Sequence, residues 1–367
     1  MKIFKCQNCG NTLHFNNDVC LSCGLRVGYL TDLCEISALT DEGEQLRPMA
    51  DPNRLYIFCS NASEAACNWL VPADSDEAFC LACRYNLTIP DLSIPDNHGR
   101  WQKIEQAKKH LFYSLTRFEL PMPARKDGAM PGLAFEFLAD VEAPDGTVEK
   151  VLTGHADGLI SLNIVEADDA EREIRRAAMG EPYRTLIGHF RHEVGHFYWD
   201  LLIRDGGRLA DFKRLFGDPD QDYAEALQRH YENGAPLDWR DHFISAYASA
   251  HPWEDFAETW AHCFHMVDGL ETARSFGIAP DLEFDGVRRP STDFDPYRAT
   301  NIRPVIASWV PLTVAINSVN RSLGQPDFYP FVLTDTVINK IDFVLRLIVS
   351  AQREQEQPSI EPVARTA

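Results

Sequence analysis

The residues best placed to do chemistry are His192, Glu193 and His196. The histidines are four apart, and on an α-helix that spacing puts both imidazoles on one face, about 6 Å of rise apart. Two neutral imidazoles so placed can bind one Zn²⁺. The Glu193 carboxylate then stands beside the open coordination position, where it can take a proton from water. Residues 183–203 contain no proline and read as one long helix, with Gly188 and Gly195 as its weak positions.

A catalytic zinc needs a third protein ligand as well as the open position. Residues 251–265 offer several. Glu254 and Glu258 share a helical face, His262 lies a turn further on, and His251 and His265 are near. Phe256, Trp260 and Phe264 flank these carboxylates, and burying like charges is costly unless a cation compensates. Glu254 is the leading candidate, with Glu258, His262, His265 and His251 still open. The unused glutamate would hold a ligand histidine by its second nitrogen. Asp200, one turn beyond His196, is a candidate to orient that ring.

Eight of the ten cysteines form two sets of four. Cys6 and Cys9, then Cys20 and Cys23, are C-x-x-C pairs ten residues apart, each followed by a glycine (Gly10, Gly24), which makes a zinc ribbon. In the second set, Cys59, Cys67, Cys80 and Cys83, only the last pair has knuckle spacing, and cross-brace pairing between the sets stays open. Cys34 has no assigned part, and Cys263 reads as a small buried hydrophobe. Residues 1–6 enter the first metal motif without an apolar leader, so metal thiolates and a cytoplasmic location are expected rather than disulfides.

The 367 residues suffice for two domains, and 45% hydrophobic with 25% charged residues is ordinary globular composition. A net charge of −20 opposes nucleic acid and anionic lipid as partners. Residues 1–100 hold thirteen acidic against seven basic residues, a poor nucleic-acid ribbon and a better protein-contact module. No uninterrupted apolar run reaches the ~20 residues that span a bilayer.

Three segments follow: a cysteine-rich module over 1–95, a larger domain over 96–352 and a disordered tail from 353. Helices are expected over 101–118, 209–216, 221–233, 253–266, 309–323 and 334–351. Strands are expected over 133–141, 148–153 and 159–165, with a turn at 144–146 and an irregular connection over 280–300. In the third strand Ser161 and Asn163 face away from Ile160, Leu162 and Ile164, which suits a side open to water or peptide.

H-E-V-G-H followed by E-D-F-A-E resembles the gluzincin arrangement of lethal-factor-like metallopeptidases. With its cysteine-rich start, the chain resembles the bacterial family of zinc-binding metallopeptidases with an N-terminal zinc ribbon. The resemblance implies an α+β fold: a zincin-like domain with an antiparallel sheet, the HExxH helix and a C-terminal helical lobe, after the ribbon. It implies Glu254 as third ligand, Glu258 as the group supporting the site and Tyr247, seven residues before Glu254, as oxyanion donor. Leu202, six after His196, departs from the metzincin pattern. Peptide hydrolysis with Glu193 as general base is therefore expected, using one catalytic and one or two structural Zn²⁺. The 159–165 strand would hold a peptide or protein substrate at the sheet edge. The competing expectation is a non-catalytic scaffold that binds a protein partner through the ribbon.

Overall fold

The computed structural model describes residues 1–142, 148–149, 151, 153–179, 184–280, 283–284, 287–288 and 294–356. The expected turn at 144–146 and much of the 280–300 connection lie outside them.

The cysteine-rich part begins with a hairpin, β1 (Phe4–Lys5) and β2 (Thr12–Leu13). Five strands follow: β3 (Val27–Leu30), β4 (Glu35–Glu42), β5 (Gln45–Pro48), β6 (Tyr56–Phe58) and β7 (Leu70–Pro72). They form an antiparallel sheet in chain order. β8 (Asn86–Thr88) leaves that sheet, and α1 (Asn97–Arg117) buries Trp101, Ile104, Leu111, Phe112 and Leu115.

The larger part holds β9 (Ala134–Leu138), a short hairpin of β10 (Val141–Glu142) and β11 (Val148–Glu149), β12 (Gly154–Ala156) and β13 (Leu159–Asn163). Helices dominate after that: α2 (Asp169–Met179), α3 (Leu186–Trp199), α4 (Leu209–Phe216) and α5 (Tyr223–Asn233). They continue with the single turn α6 (Trp239–His242), then α7 (Pro252–Ser275), α8 (Ile302–Ser322) and α9 (Asp335–Glu356).

The main sheet corrects the expectation of an antiparallel meander. Its order is β12-β13-β9-β8; β12 runs antiparallel to β13, but β13 and β8 both run parallel to β9. Parallel neighbours need a crossover, and α1 supplies it between β8 and β9. Ser161 and Asn163 therefore lie on an inner strand. Ser161 bonds Glu136, and the Asn163 amide donates to Asp140 and to the carbonyl of Val151, so neither is offered to a substrate. The outer strand beside β13 is β12.

α3 starts with the Thr185 side chain accepting from the Gly188 N–H and gives way at Asp200 to a π-helical turn, Asp200–Arg204. α7 is longer than the expected 253–266 and packs along α3, with Tyr198 stacked on Trp260 at 4.8 Å between centroids. At their crossing a Cβ on Gly195 would lie 3.0 Å from the Ala257 Cα and 3.2 Å from the Trp260 Cβ. Gly195→Ala is thus expected to force the helices apart at a cost of about 1–3 kcal/mol, to be read from denaturant midpoints.

α9 runs through Glu356, so the first residues of the expected disordered tail are helical. α8 is long and apolar enough, by length and composition, to cross a membrane, although polar residues such as Ser308, Thr313 and Asn317 interrupt its apolar run. Here it packs on α7 and α9, burying Val305, Trp309 and Leu312. One core runs from Phe4 and Tyr29 in the ribbon through Trp69, Trp101 and Phe112 to Phe190, Trp260 and Val344.

Candidate metal centre

α3 presents His192 and His196, and α7 presents Glu254 and Glu258. His192 Nε2 lies 3.2 Å from His196 Nε2 and 3.0 Å from Glu254 Oε2, which is 3.5 Å from His196 Nε2. A tetrahedral zinc with bonds of about 2.0–2.1 Å needs donors roughly 3.3 Å apart, so this triangle has the right size. Glu254 is 1% exposed, and its Oε2 has no hydrogen-bond partner. A buried, unpartnered carboxylate oxygen facing two imidazole nitrogens is costly in itself and is compensated by a cation. The donor set therefore fits a zinc ion.

The other nitrogen of His192, Nδ1, is 2.8 Å from Glu258 Oε1, and Ser245 Oγ donates to Glu258 Oε2 at 2.6 Å. With Nδ1 protonated toward Glu258, Nε2 is left as a lone pair for metal. Burial opposes charge on Glu258, but its hydrogen bond to His192 prevails and holds it down at about 2. For Glu254 too burial is outweighed, by the charge of His196 first and the closeness of both imidazoles, leaving it well below the usual range.

The His196 ring is set by stacking, not by Asp200. Trp253 lies 3.7 Å from it and His155 of β12 lies 6.0 Å away. Asp200 instead pairs with Arg204 at 2.9 Å and comes within 3.8 Å of His155.

Glu193 is 8% exposed and lines a cleft of about 640 Å³ with His192, Tyr247, Glu258 and Ala261. Burial raises its carboxyl above the ordinary range, partly offset by His192 and His196. The Tyr247 ring centre is 6.0 Å from that of His192, and burial raises its hydroxyl too. The remaining ligand candidates are engaged elsewhere. His251 caps α7, its Nδ1 accepting from the Trp253 N–H; His262 Nδ1 bonds the Tyr329 hydroxyl; His265 Nδ1 meets Arg191. Cys263 is buried in the core.

Tyr223 escaped the sequence reading. Its hydroxyl donates to Glu254 Oε1 at 2.6 Å. The Asp222 side chain accepting from the Glu225 N–H marks the start of α5, but nothing local indicates that the first tyrosine of that helix meets a residue 31 positions on.

The cysteines gather into two clusters, each from its own set, so the cross-brace alternative is set aside. Cys6 and Cys23 sulfurs are 3.7 Å apart, Cys9 and Cys20 3.6 Å, Cys67 and Cys80 3.6 Å. Four thiolates about 2.3 Å from a zinc would be roughly 3.75 Å apart. Gly10 and Gly24 both have φ of +74°, and each N–H reaches back 2.8 Å to the carbonyl of the first cysteine of its knuckle. The left-handed backbone explains both glycines.

Comparison with known proteins agrees with this donor chemistry. Residues 3–94 match a zinc-ribbon domain family. Proteins described as "Uncharacterized protein" from Mycobacterium bovis and from two strains of Mycobacterium tuberculosis are each 39% identical over 364 residues, covering 99% of this chain and 98% of theirs. No solved structure matches. Residues 97–347, which carry the His192, His196 and Glu254 triangle, match the family described as "Putative zinc-binding metallo-peptidase", and the chain belongs to that family.

Proposed function

We propose that the chain is a zinc-dependent peptidase in which Glu193 is the general base and His192, His196 and Glu254 are the metal ligands. The observation that carries the reading is a three-donor triangle containing an unpartnered carboxylate oxygen, with a second carboxylate, that of Glu193, beside it in an open cleft. A purely structural site has no use for that carboxylate.

A bound zinc supplies Lewis-acid polarisation of a carbonyl and acidifies water. Glu258 holds His192 in the tautomer whose Nε2 can coordinate. Glu193 takes the proton from the attacking water and delivers it to the leaving amine, a task helped by a carboxyl raised above its ordinary range. Tyr247, on the cleft wall, donates to the oxyanion. A peptide would add to the outer strand β12, which packs on α3, in place of the inner strand expected from sequence. The cysteine clusters hold two further zincs as structural ions.

Metal analysis tests this. Wild type should carry three zincs per chain and Glu254→Ala two, with casein hydrolysis lost. Two zincs in both proteins would sink the catalytic centre and leave a ribbon-bearing scaffold.

A further inference from the structure

The two oxygens of Glu254 are treated differently by the fold. Oε2 is buried, unpartnered and faces the histidines, whereas Oε1 accepts the Tyr223 hydroxyl at 2.6 Å. A carboxylate can hold a divalent ion through one oxygen or both. Here the second mode would forfeit a short charge-assisted hydrogen bond, so the protein biases the choice toward one.

Packing alone does not explain why Tyr223 is there, although its ring meets those of His251 and Trp253 edge-on at 5.3 and 5.6 Å. α5 buries one residue, Ala226, and Tyr223 itself is 38% exposed. The helix gains little from the core, yet its first residue reaches the carboxylate, and His230 and Tyr231 near its other end line the cleft. Glycines close both approaches to this segment, Gly217 at φ +100° and Gly234 at φ +74°.

We propose that Tyr223 is a positioning residue that confines Glu254 to single-oxygen coordination, keeping the remaining coordination space for water and substrate. Because α5 also forms cleft wall, substrate pressing on His230 and Tyr231 acts on the same helix that sets the ligand. The proposal rests on the metal centre proposed above, but not on peptide hydrolysis.

The test uses full-length protein whose cysteine sites retain zinc, with the exchangeable third ion removed by chelator and replaced by Co²⁺. The visible absorption of cobalt is strong when four-coordinate and several-fold weaker when five-coordinate. Wild type should give the strong spectrum and Tyr223→Phe the weak one, with zinc affinity at that site changed about tenfold. A folding defect alone would not move the spectrum this way, and the conservative change keeps the ring. Unchanged spectrum and affinity in Tyr223→Phe would overturn the inference while leaving the metal centre standing. Failure of wild type to take up more cobalt than Glu254→Ala would overturn both.

Discussion

Glu193→Gln should retain all three zincs and lose hydrolysis of unfolded casein by about 10²–10⁴-fold, the usual contribution of a positioned acid–base group. The amide keeps the size and most of the polarity of the carboxyl but cannot take a proton. Glu193 is not in the donor triangle, which consists of His192, His196 and Glu254, so metal content should be untouched. Its surroundings make it a better base than an exposed glutamate, since burial raises its carboxyl. The sign for pH follows: the base is active when ionised, so activity should fall as pH drops through this raised value. Glu193→Gln should lose that acidic limb along with the rate. A variant that hydrolysed casein at the wild-type rate with three zincs bound would remove Glu193 from the mechanism.

The second large effect concerns stability. Cys80→Ser should cost one zinc and roughly 4 kcal/mol or more, since loss of a metal site is among the few single changes of that size. For a chain this long that corresponds to a fall in melting temperature of about 5 °C. Cys80 is 2% exposed within the Cys59, Cys67, Cys80 and Cys83 cluster, so a hydroxyl there cannot turn to solvent. The damage should not stay local. Cys83 touches Glu105 of α1 at 3.6 Å, Glu105 bonds both Asn86 and Lys108, and all belong to the region joining the cysteine clusters to the main sheet. Calorimetry should show one transition at lower temperature. An early small transition followed by an unshifted main one would mean the two parts melt independently.

The parts of the site legible in the sequence were those whose geometry is local. A histidine pair at i and i+4, two glutamates at i and i+4 and a C-x-x-C-G knuckle each specify a shape within one turn of chain. The structure brings His192, His196 and Glu254 together and sets Glu258 on His192. What escaped depended on distant pairing. Residues 159–163 alternate as a strand should, but alternation says nothing about which neighbours flank it, and β9 and β12 cover both edges. Asn86–Thr88 is three residues long with a single apolar side chain, too short to announce itself as a strand. Asp200 stands one turn from His196 in sequence, yet the π-helical turn and Arg204 draw it elsewhere.

That short strand has a consequence for how the chain can be divided. The two family matches meet between residues 94 and 97, which invites the reading of a detachable cassette followed by an autonomous enzyme. Yet β8, on the cassette side of the seam, is the last strand of the sheet whose other strands lie beyond it. A fragment begun at the seam would leave β9 with a bare edge, an invitation to pair with other chains. The seam visible in the one-dimensional text is absent from the folded object, where one sheet is built from strands on both sides of it.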